Sequence, residues 1–342
     1  MKEKKMIGEQ SAVFENAVYM ISSASVVGTK EGQGPLGAQF DLVGEDDLFG
    51  EDCWEAAEST MQAKAIQLAL QKVKLSPKKI RYLLGGDLLG QLIATSFGTE
   101  QLQIPLFGLY GACSTCGEAL SLGAMLVGGG YAEYVAAVTS SHFAGAEKQF
   151  RFPLAYGNQR PLSATWTVTA SGAFLLSDQQ SEVEITGITT GKIVDYGVKD
   201  SMNMGACMAP AAADTIFRNL KDFGCQPDAY DRIITGDLGY VGQTILLDLL
   251  KAKGMDISRQ HMDCGVEIFD SESQDTHSGG SGCGCSASVL AAMILPKLCS
   301  GEWKKVLFVP TGALHSTVSF NEGKSVPGIA HGIVLEHCER RR

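Results

Sequence analysis

The sequence predicts a duplicated α/β fold: two mainly parallel sheets, each wrapped by helices, stacked on a shared middle layer of small-residue helices. Three observations predict it. Four pairs of phrases recur in the same order in the two halves of the 342-residue chain. Apolar strand-like runs alternate with helical patterns in each half, which buries both faces of a mostly parallel sheet. Hydrophobic residues make up 45% of the chain, enough for the large core this arrangement needs.

The elements follow in order. A helical pattern over Trp54 to Leu75 leads into I-R-Y-L-L-G-G-D-L-L-G-Q-L at 80–92. Its echo is D-R-I-I-T-G-D-L-G-Y-V-G-Q at 231–243. That run follows a helical pattern from Pro210 to Phe223, with Pro210 expected in the first turn. Both strand runs end in Gly-Asp-Leu, so Asp87 and Asp237 occupy matching places. Next, G-A-C-S-T-C-G-E-A-L-S-L-G-A-M-L-V (111–127) is echoed by G-S-G-C-G-C-S-A-S-V-L-A-A-M-I-L (280–295). Y-V-A-A-V-T-S-S-H (134–142) is echoed by V-L-F-V-P-T-G-A-L-H (306–315). T-A-S-G-A-F-L-L-S (169–177) is echoed by I-A-H-G-I-V-L-E-H (329–337). One such pair arises readily by chance; four in one order indicate duplication.

Each half therefore reads strand, helix, strand, helix-like segment, strand, helix and two closing strands, the last pair expected as an antiparallel hairpin. The polar stretch Asp178 to Glu182 is the natural junction. The expected units are residues 1–180 and 181–342, pseudo-twofold related within one compact unit. The Gly/Ala/Ser-rich helices that start near Cys113 and Cys283 suit the shared layer, where small residues let helices approach closely. From Phe143 to Thr165 no clean period is visible. Phe150, Arg151, Phe152, Tyr156 and Arg160 mix there, which reads as a lid, a partner surface or a dimer-contact loop.

Composition excludes some functions. A net charge of −10 argues against nucleic acid, because phosphate binding needs a basic surface. The terminal Arg340-Arg341-Arg342 is too short to change that and reads as a solvated tail. Forty glycines in short runs indicate tight turns and close backbone approaches. Met1 to Met6 is charged and lacks an apolar signal-peptide core, so the ten cysteines are expected to be free thiols in a reducing, intracellular compartment. No apolar stretch reaches the roughly 18 residues that span a bilayer, so membrane association is expected to run through a partner.

A duplicated half with a cysteine at a strand-to-helix elbow in each repeat resembles the thiolase and ketoacyl synthase superfamily. That resemblance implies a five-layer α-β-α-β-α sandwich and a homodimer, over about residues 12–339. Within it, seven ordered phrases resemble the stage V sporulation protein AD family of endospore formers. They are G-P-L-G (34–37), G-A-C-S-T (111–115), T-S-S-H (139–142), E-K-Q-F-R-F-P (147–153), A-P-A-A-A-D-T-I (209–216), T-G-D-L (235–238) and G-G-S-G-C-G-C-S-A (279–287). The family resemblance implies direct binding of dipicolinic acid and its loading, as the calcium complex, into the developing spore. It also implies a peripheral place on the spore inner membrane beside membrane-embedded proteins of the same transport system.

Whether Cys113 reacts is the central question. A thiol at a helix N-terminus feels the positive end of the macrodipole, and elbow N–H groups form an oxyanion hole. Nucleophilic catalysis also needs a base and an orienting group. Against the type III ketoacyl synthase pattern, the histidine position falls at Asp237 and the asparagine position at about Cys283. An aspartate beside a thiol raises its pKa, and a cysteine donates poorly to a carbonyl oxygen. His142, His277 and His315 are candidate substitutes; the alternative is that they are structural. A Cys₄ zinc site from Cys113, Cys116, Cys283 and Cys285 is a further alternative to small core residues.

The expectation is thus an enzyme scaffold with a degenerate catalytic set, in which Cys113 is a vestigial nucleophile position. The expected ligand-binding residues are Asp87, Cys113, Ser140, His142, Asp237 and Cys283, with no resident cofactor and dipicolinate, with or without calcium, as ligand. Asp87 is expected to complete a calcium shell and the helix start at Cys113 to donate N–H groups to a carboxylate. Turn-forming or helix-capping is the competing role for Asp87 and Asp237. An acyl transferase using Cys113 and a scaffold that binds no small molecule are the other two functions in play.

Overall fold

The computed structural model describes residues 5–150 and 159–339. The first half runs β1 (Tyr19–Val27), α1 (Trp54–Lys72), β2 (Tyr82–Gly86), α2 (Ile93–Glu100), β3 (Leu106–Gly108), α3 (Thr115–Gly128), β4 (Tyr134–Ser141), α4 (Phe143–Phe150) and β5 (Ala170–Ser177). The second half repeats the plan. It runs β6 (Val183–Thr189), α5 (Met204–Asp222), β7 (Arg232–Thr235), α6 (Gly239–Ala252), β8 (His261–Asp263), α7 (Cys283–Val289), β9 (Lys305–Val309) and β10 (Gly332–His337). Strand order is β1-β5-β4-β2-β3 in one half and β6-β10-β9-β7-β8 in the other. β2 pairs in parallel with β3 and β4, as β7 does with β8 and β9. β5 and β10 each run antiparallel to both neighbours. The halves match strand for strand. β1 and β6 are ladder partners at one described residue pair, Tyr19 opposite Glu184, which joins the strands of the two halves into one continuous sheet.

Strand alternation builds the layers. On β2, Leu83 packs outward with Met61 and Ile66 of α1, while Leu84 packs inward with Leu120 and Ala124 of α3. On β7, Ile233 packs outward with Ala212 and Ile216 of α5, while Ile234 joins the central cluster. Successive side chains point to opposite faces, so each sheet is apolar on both. The central cluster contains α3 and α7 and the inner faces of both sheets. The result is the α-β-α-β-α order: α1 and α2, a sheet, α3 and α7, a sheet, α5 and α6. Close approach is essential at the middle. A Cβ on Gly172 of β5 would stand 2.6 Å from the Ala287 Cβ of α7 and 2.7 Å from its carbonyl carbon.

Three sequence readings need correction. Pro210 lies inside α5, which starts at Met204 and is capped by Asn203, whose side chain accepts from the Ala206 amide at 3.3 Å. Proline forfeits one helical hydrogen bond. Burial of Cys207, Ala209 and Ala211 to Ala213 in the outer core holds the helix through it. The closing strands of each half do pair antiparallel, but not as hairpins. α4 intervenes before β5, and residues 310–331 separate β9 from β10. Finally, 143–150 is helical rather than irregular, while Arg151, Phe152 and Tyr156 lie outside the described residues. Arg160 is buried; its Nη2 donates to the Asp275 carbonyl at 2.7 Å and its guanidinium lies 4.8 Å from the Trp166 ring.

One buried acid links the fold to pH. Glu31 is buried, and its Oε1 accepts from the Thr169 amide, just before β5, at 2.9 Å. Burial raises its pKa from 4.5 to about 8. The folded chain therefore holds a proton that the unfolded chain has released between those values. The stabilisation is complete below the lower value and is lost as pH rises through the upper one. Thermal melts from pH 5 to 8 should show a fall in midpoint that Glu31→Gln flattens. An equal slope in both proteins would contradict the assignment.

Candidate functional site

The turn between β3 and α3 makes a tight elbow. The Gly111 amide donates to Thr115 Oγ1 at 3.0 Å, Thr115 Oγ1 donates to the Ala112 carbonyl at 2.6 Å, and Ser114 Oγ donates to the Gly111 carbonyl at 2.7 Å. Ala112 is held with φ at 50°, a left-handed conformation that costs an L-residue energy. The small residues of this stretch are thus needed for the turn itself. They leave Cys113 two residues ahead of α3, facing the second half.

Cys113 lines a cavity of about 480 Å³, within the range of small-molecule sites. Its other lining residues include Gln91, Tyr110, Thr167, Ser281, His315 and Thr317. They come from both halves: the β2–α2 and β3–α3 turns, the strand at 166–167, its partner at 280–281, and the stretch after β9.

Behind the thiol stands Asp237. Cys113 Sγ lies 3.8 Å from Ser281 Oγ, which donates to Asp237 Oδ2 at 3.0 Å. The Gly282 amide donates to the same oxygen at 2.9 Å, and Thr311 Oγ1 donates to Oδ1 at 2.5 Å. Burial raises the Asp237 pKa to about 6, with hydrogen bonds from Thr311, the Gly282 amide and the Cys113 thiol opposing it. Burial, then the Asp237 charge, holds the Cys113 thiol well above its ordinary range. A buried thiol beside a carboxylate stays protonated and is a weak nucleophile.

The structure separates the other expected site residues from the cavity. Asp87 is fully buried. Its Oδ1 accepts from the Leu89 amide, and its Oδ2 from the amide and hydroxyl of Thr95, at 2.6–2.8 Å. Both oxygens are engaged by the turn into α2, the capping role, and Asp87 is not among the residues that line the cavity. Ser140 Oγ donates to Glu58 Oε1 and accepts from Gln62 Nε2, each at 2.7 Å. His142 Nε2 donates to the Asp47 carbonyl at 2.8 Å, and burial lowers its pKa. The Cys283 thiol donates to the Ser140 carbonyl at 2.8 Å and that of Cys285 to the Gly236 carbonyl at 3.6 Å. Of the six residues only Cys113 lines the cavity among the described residues; Asp237 reaches it indirectly, through its hydrogen bond from Ser281. No group of three or more His, Cys, Asp or Glu side chains that could hold a metal ion occurs among the described residues.

Sequence reasoning names His315 only as a stand-in base and does not name Gln91, Tyr110 or Ser281 as lining residues. Signals for them exist: Tyr110 stands three residues before Cys113, and Ser281 two before Cys283 in the echoed phrase.

Cys113→Ala removes one sulfur from a buried site, where its polar neighbours are Ser281 Oγ at 3.8 Å, the Asp237 carboxylate and the Gly282 amide. Its expected cost is about 1 kcal/mol or less, read by urea unfolding. A loss of several kcal/mol would mean that the thiol has structural partners this geometry lacks.

The sequence profile of the Stage V sporulation protein AD (SpoVAD) family matches residues 8–336. The chain belongs to the stage V sporulation protein AD family. It is 42% identical over 334 residues to the stage V sporulation protein AD of Bacillus subtilis (strain 168), covering 98% of each chain. Solved structures share the fold. A 3-oxoacyl-[acyl-carrier-protein] synthase III from Aquifex aeolicus VF5 aligns with a TM-score of 0.57 at 12% identity, covering 94% of this chain and 100% of that one. Cerulenin-bound OleA from Xanthomonas campestris gives 0.58 at 14% identity, covering 95% of this chain and 97% of that one. The fold is therefore that of the thiolase-like ketosynthases, carried by a family of sporulation proteins.

Proposed function

We propose that this sporulation-family protein is a non-catalytic binding protein for dipicolinic acid, taken up with calcium, and acts in loading the developing spore. The observation that carries the reading is the Cys113–Ser281–Asp237 arrangement. An enzyme-type cavity is present, but its thiol is held protonated and its nearest acid is committed to three donors. What remains is a small-molecule site with hydroxyl and amide side chains on its walls. Isothermal titration with dipicolinate, with and without calcium, tests it; binding that a bulky Cys113→Trp abolishes is expected. No heat change in either condition would favour a scaffold without a ligand.

Acyl transfer on Cys113 is the competing reading, favoured by His315 on the same cavity. Mass spectrometry after incubation with acetyl- and malonyl-coenzyme A separates the two. An unmodified Cys113 is expected; a stable acyl adduct that turns over would promote the enzyme.

Homodimerisation is part of the proposal. β3 is the edge of its sheet, and its Leu106 and Phe107 are 41% and 51% exposed. An apolar edge with unpaired backbone groups favours a second strand. The peripheral membrane location is also retained, through membrane-embedded partners. Among the described residues no helix is long and apolar enough to cross a membrane.

A further inference from the structure

The turn from β2 into α2 is pinned at both ends by one carboxylate. Asp87 accepts from the Leu89 amide with one oxygen and from the Thr95 amide and hydroxyl with the other. Between these anchors Gln91 (φ 55°) and Leu92 (φ 53°) both have left-handed backbone. That region crowds Cβ against the carbonyl, so L-residues visit it singly and at a cost. Gly90 is adjacent, yet lies outside the left-handed region. Glycine's freedom is therefore not used where the strain falls. In the second half, the corresponding turn after Asp237 places its left-handed residue on Gly239 (φ 63°), where it costs little. Gln91 is exposed and lines the cavity beside Cys113. Strain fixed by anchors at a cavity wall is a device of functional sites.

We propose that Gln91 is a ligand-reading residue of this cavity and that Asp87 is a positioning residue, which holds Gln91 in place through the strained 88–95 turn. The inference rests on the binding reading above and assigns Asp87 a role without ligand contact. A glutamine amide offers two N–H donors and one acceptor and adds no charge. It suits one carboxylate oxygen of a flat dicarboxylate whose charge calcium has largely neutralised.

The test uses the full chain as Gln91→Gly, Asp87→Ala and the double variant, each measured by thermal melting and by calorimetry with dipicolinate and calcium. Glycine accepts the left-handed backbone freely, so Gln91→Gly should melt at or above the wild-type midpoint. Its dipicolinate affinity should fall about tenfold, the order of one hydrogen bond to a charged group. Asp87→Ala should weaken binding in the wild-type background and add little in the Gln91→Gly background, a non-additive pair. If Asp87→Ala does not fold, Asp87→Asn, which keeps an acceptor, takes its place in the cycle. Wild-type affinity in Gln91→Gly, a loss of affinity that tracks a lower melting point, or additive losses in the double variant would each overturn the proposal. Failure of the wild-type protein to bind sinks the functional reading itself. Wild-type binding with an indifferent Gln91→Gly sinks this inference alone.

Discussion

Gly312→Ala is expected to cost several kcal/mol of stability and to abolish dipicolinate binding. Gly312 lies in the stretch after β9, pressed against the elbow of the other half. A Cβ there would stand 2.3 Å from the Gly111 carbonyl oxygen, 2.9 Å from the Ser114 amide nitrogen and 3.3 Å from the Cys113 nitrogen. All three are backbone atoms in a turn already fixed by side-chain hydrogen bonds, so no flexible group can yield. Relief requires one half to move from the other, and the cavity lies between them. Overpacking of a rigid interior costs about 1–3 kcal/mol where repacking is available, and more where it is not. Denaturant unfolding and calorimetry would check both parts. A variant with wild-type stability and binding would show that the two halves are not in register through this contact.

Asp237→Ala is the second large effect. The substitution leaves Ser281 Oγ, the Gly282 amide and Thr311 Oγ1 without their shared acceptor in a fully buried site. Each orphaned buried donor costs about 1–3 kcal/mol, so with three of them a loss of roughly 3 kcal/mol or more is expected. Asp237→Asn keeps shape and one acceptor and should lose less. Binding should weaken in both, because Ser281 lines the cavity. Removing the acid beside the thiol should also lower the Cys113 pKa and increase its alkylation rate in the folded variant, and an unchanged rate would contradict the role given to the Asp237 charge.

The fold was legible because duplication writes the same plan twice. The Gly-Asp-Leu exits at Asp87 and Asp237, and the small-residue elbows at Cys113 and Cys283, fix four equivalent points without any knowledge of three-dimensional contacts. The site was only partly legible. Sequence equivalence made Asp87 and Asp237 a pair, whereas the fold gives them different tasks: one clamps a turn of its own half, the other gathers donors around Ser281. That divergence depends on which oxygen meets which amide, and strand patterning carries no such information. His142 and His315 show the same limit. They close echoed phrases, but His142 directly follows β4 and is buried against Asp47, whereas His315 lies six residues past β9 and opens onto the cavity. Gln91 escaped notice because a left-handed glutamine beside a glycine reads, in sequence, as an ordinary glycine turn.

The most direct test of the central claim is a crystal structure of the wild-type protein grown with dipicolinate and calcium, with no acyl donor present. The account predicts the pyridine dicarboxylate in the cavity between the halves, in contact with Gln91 and close to an unmodified Cys113 thiol. Dipicolinate bound elsewhere on the protein, with this cavity left to solvent, would contradict it.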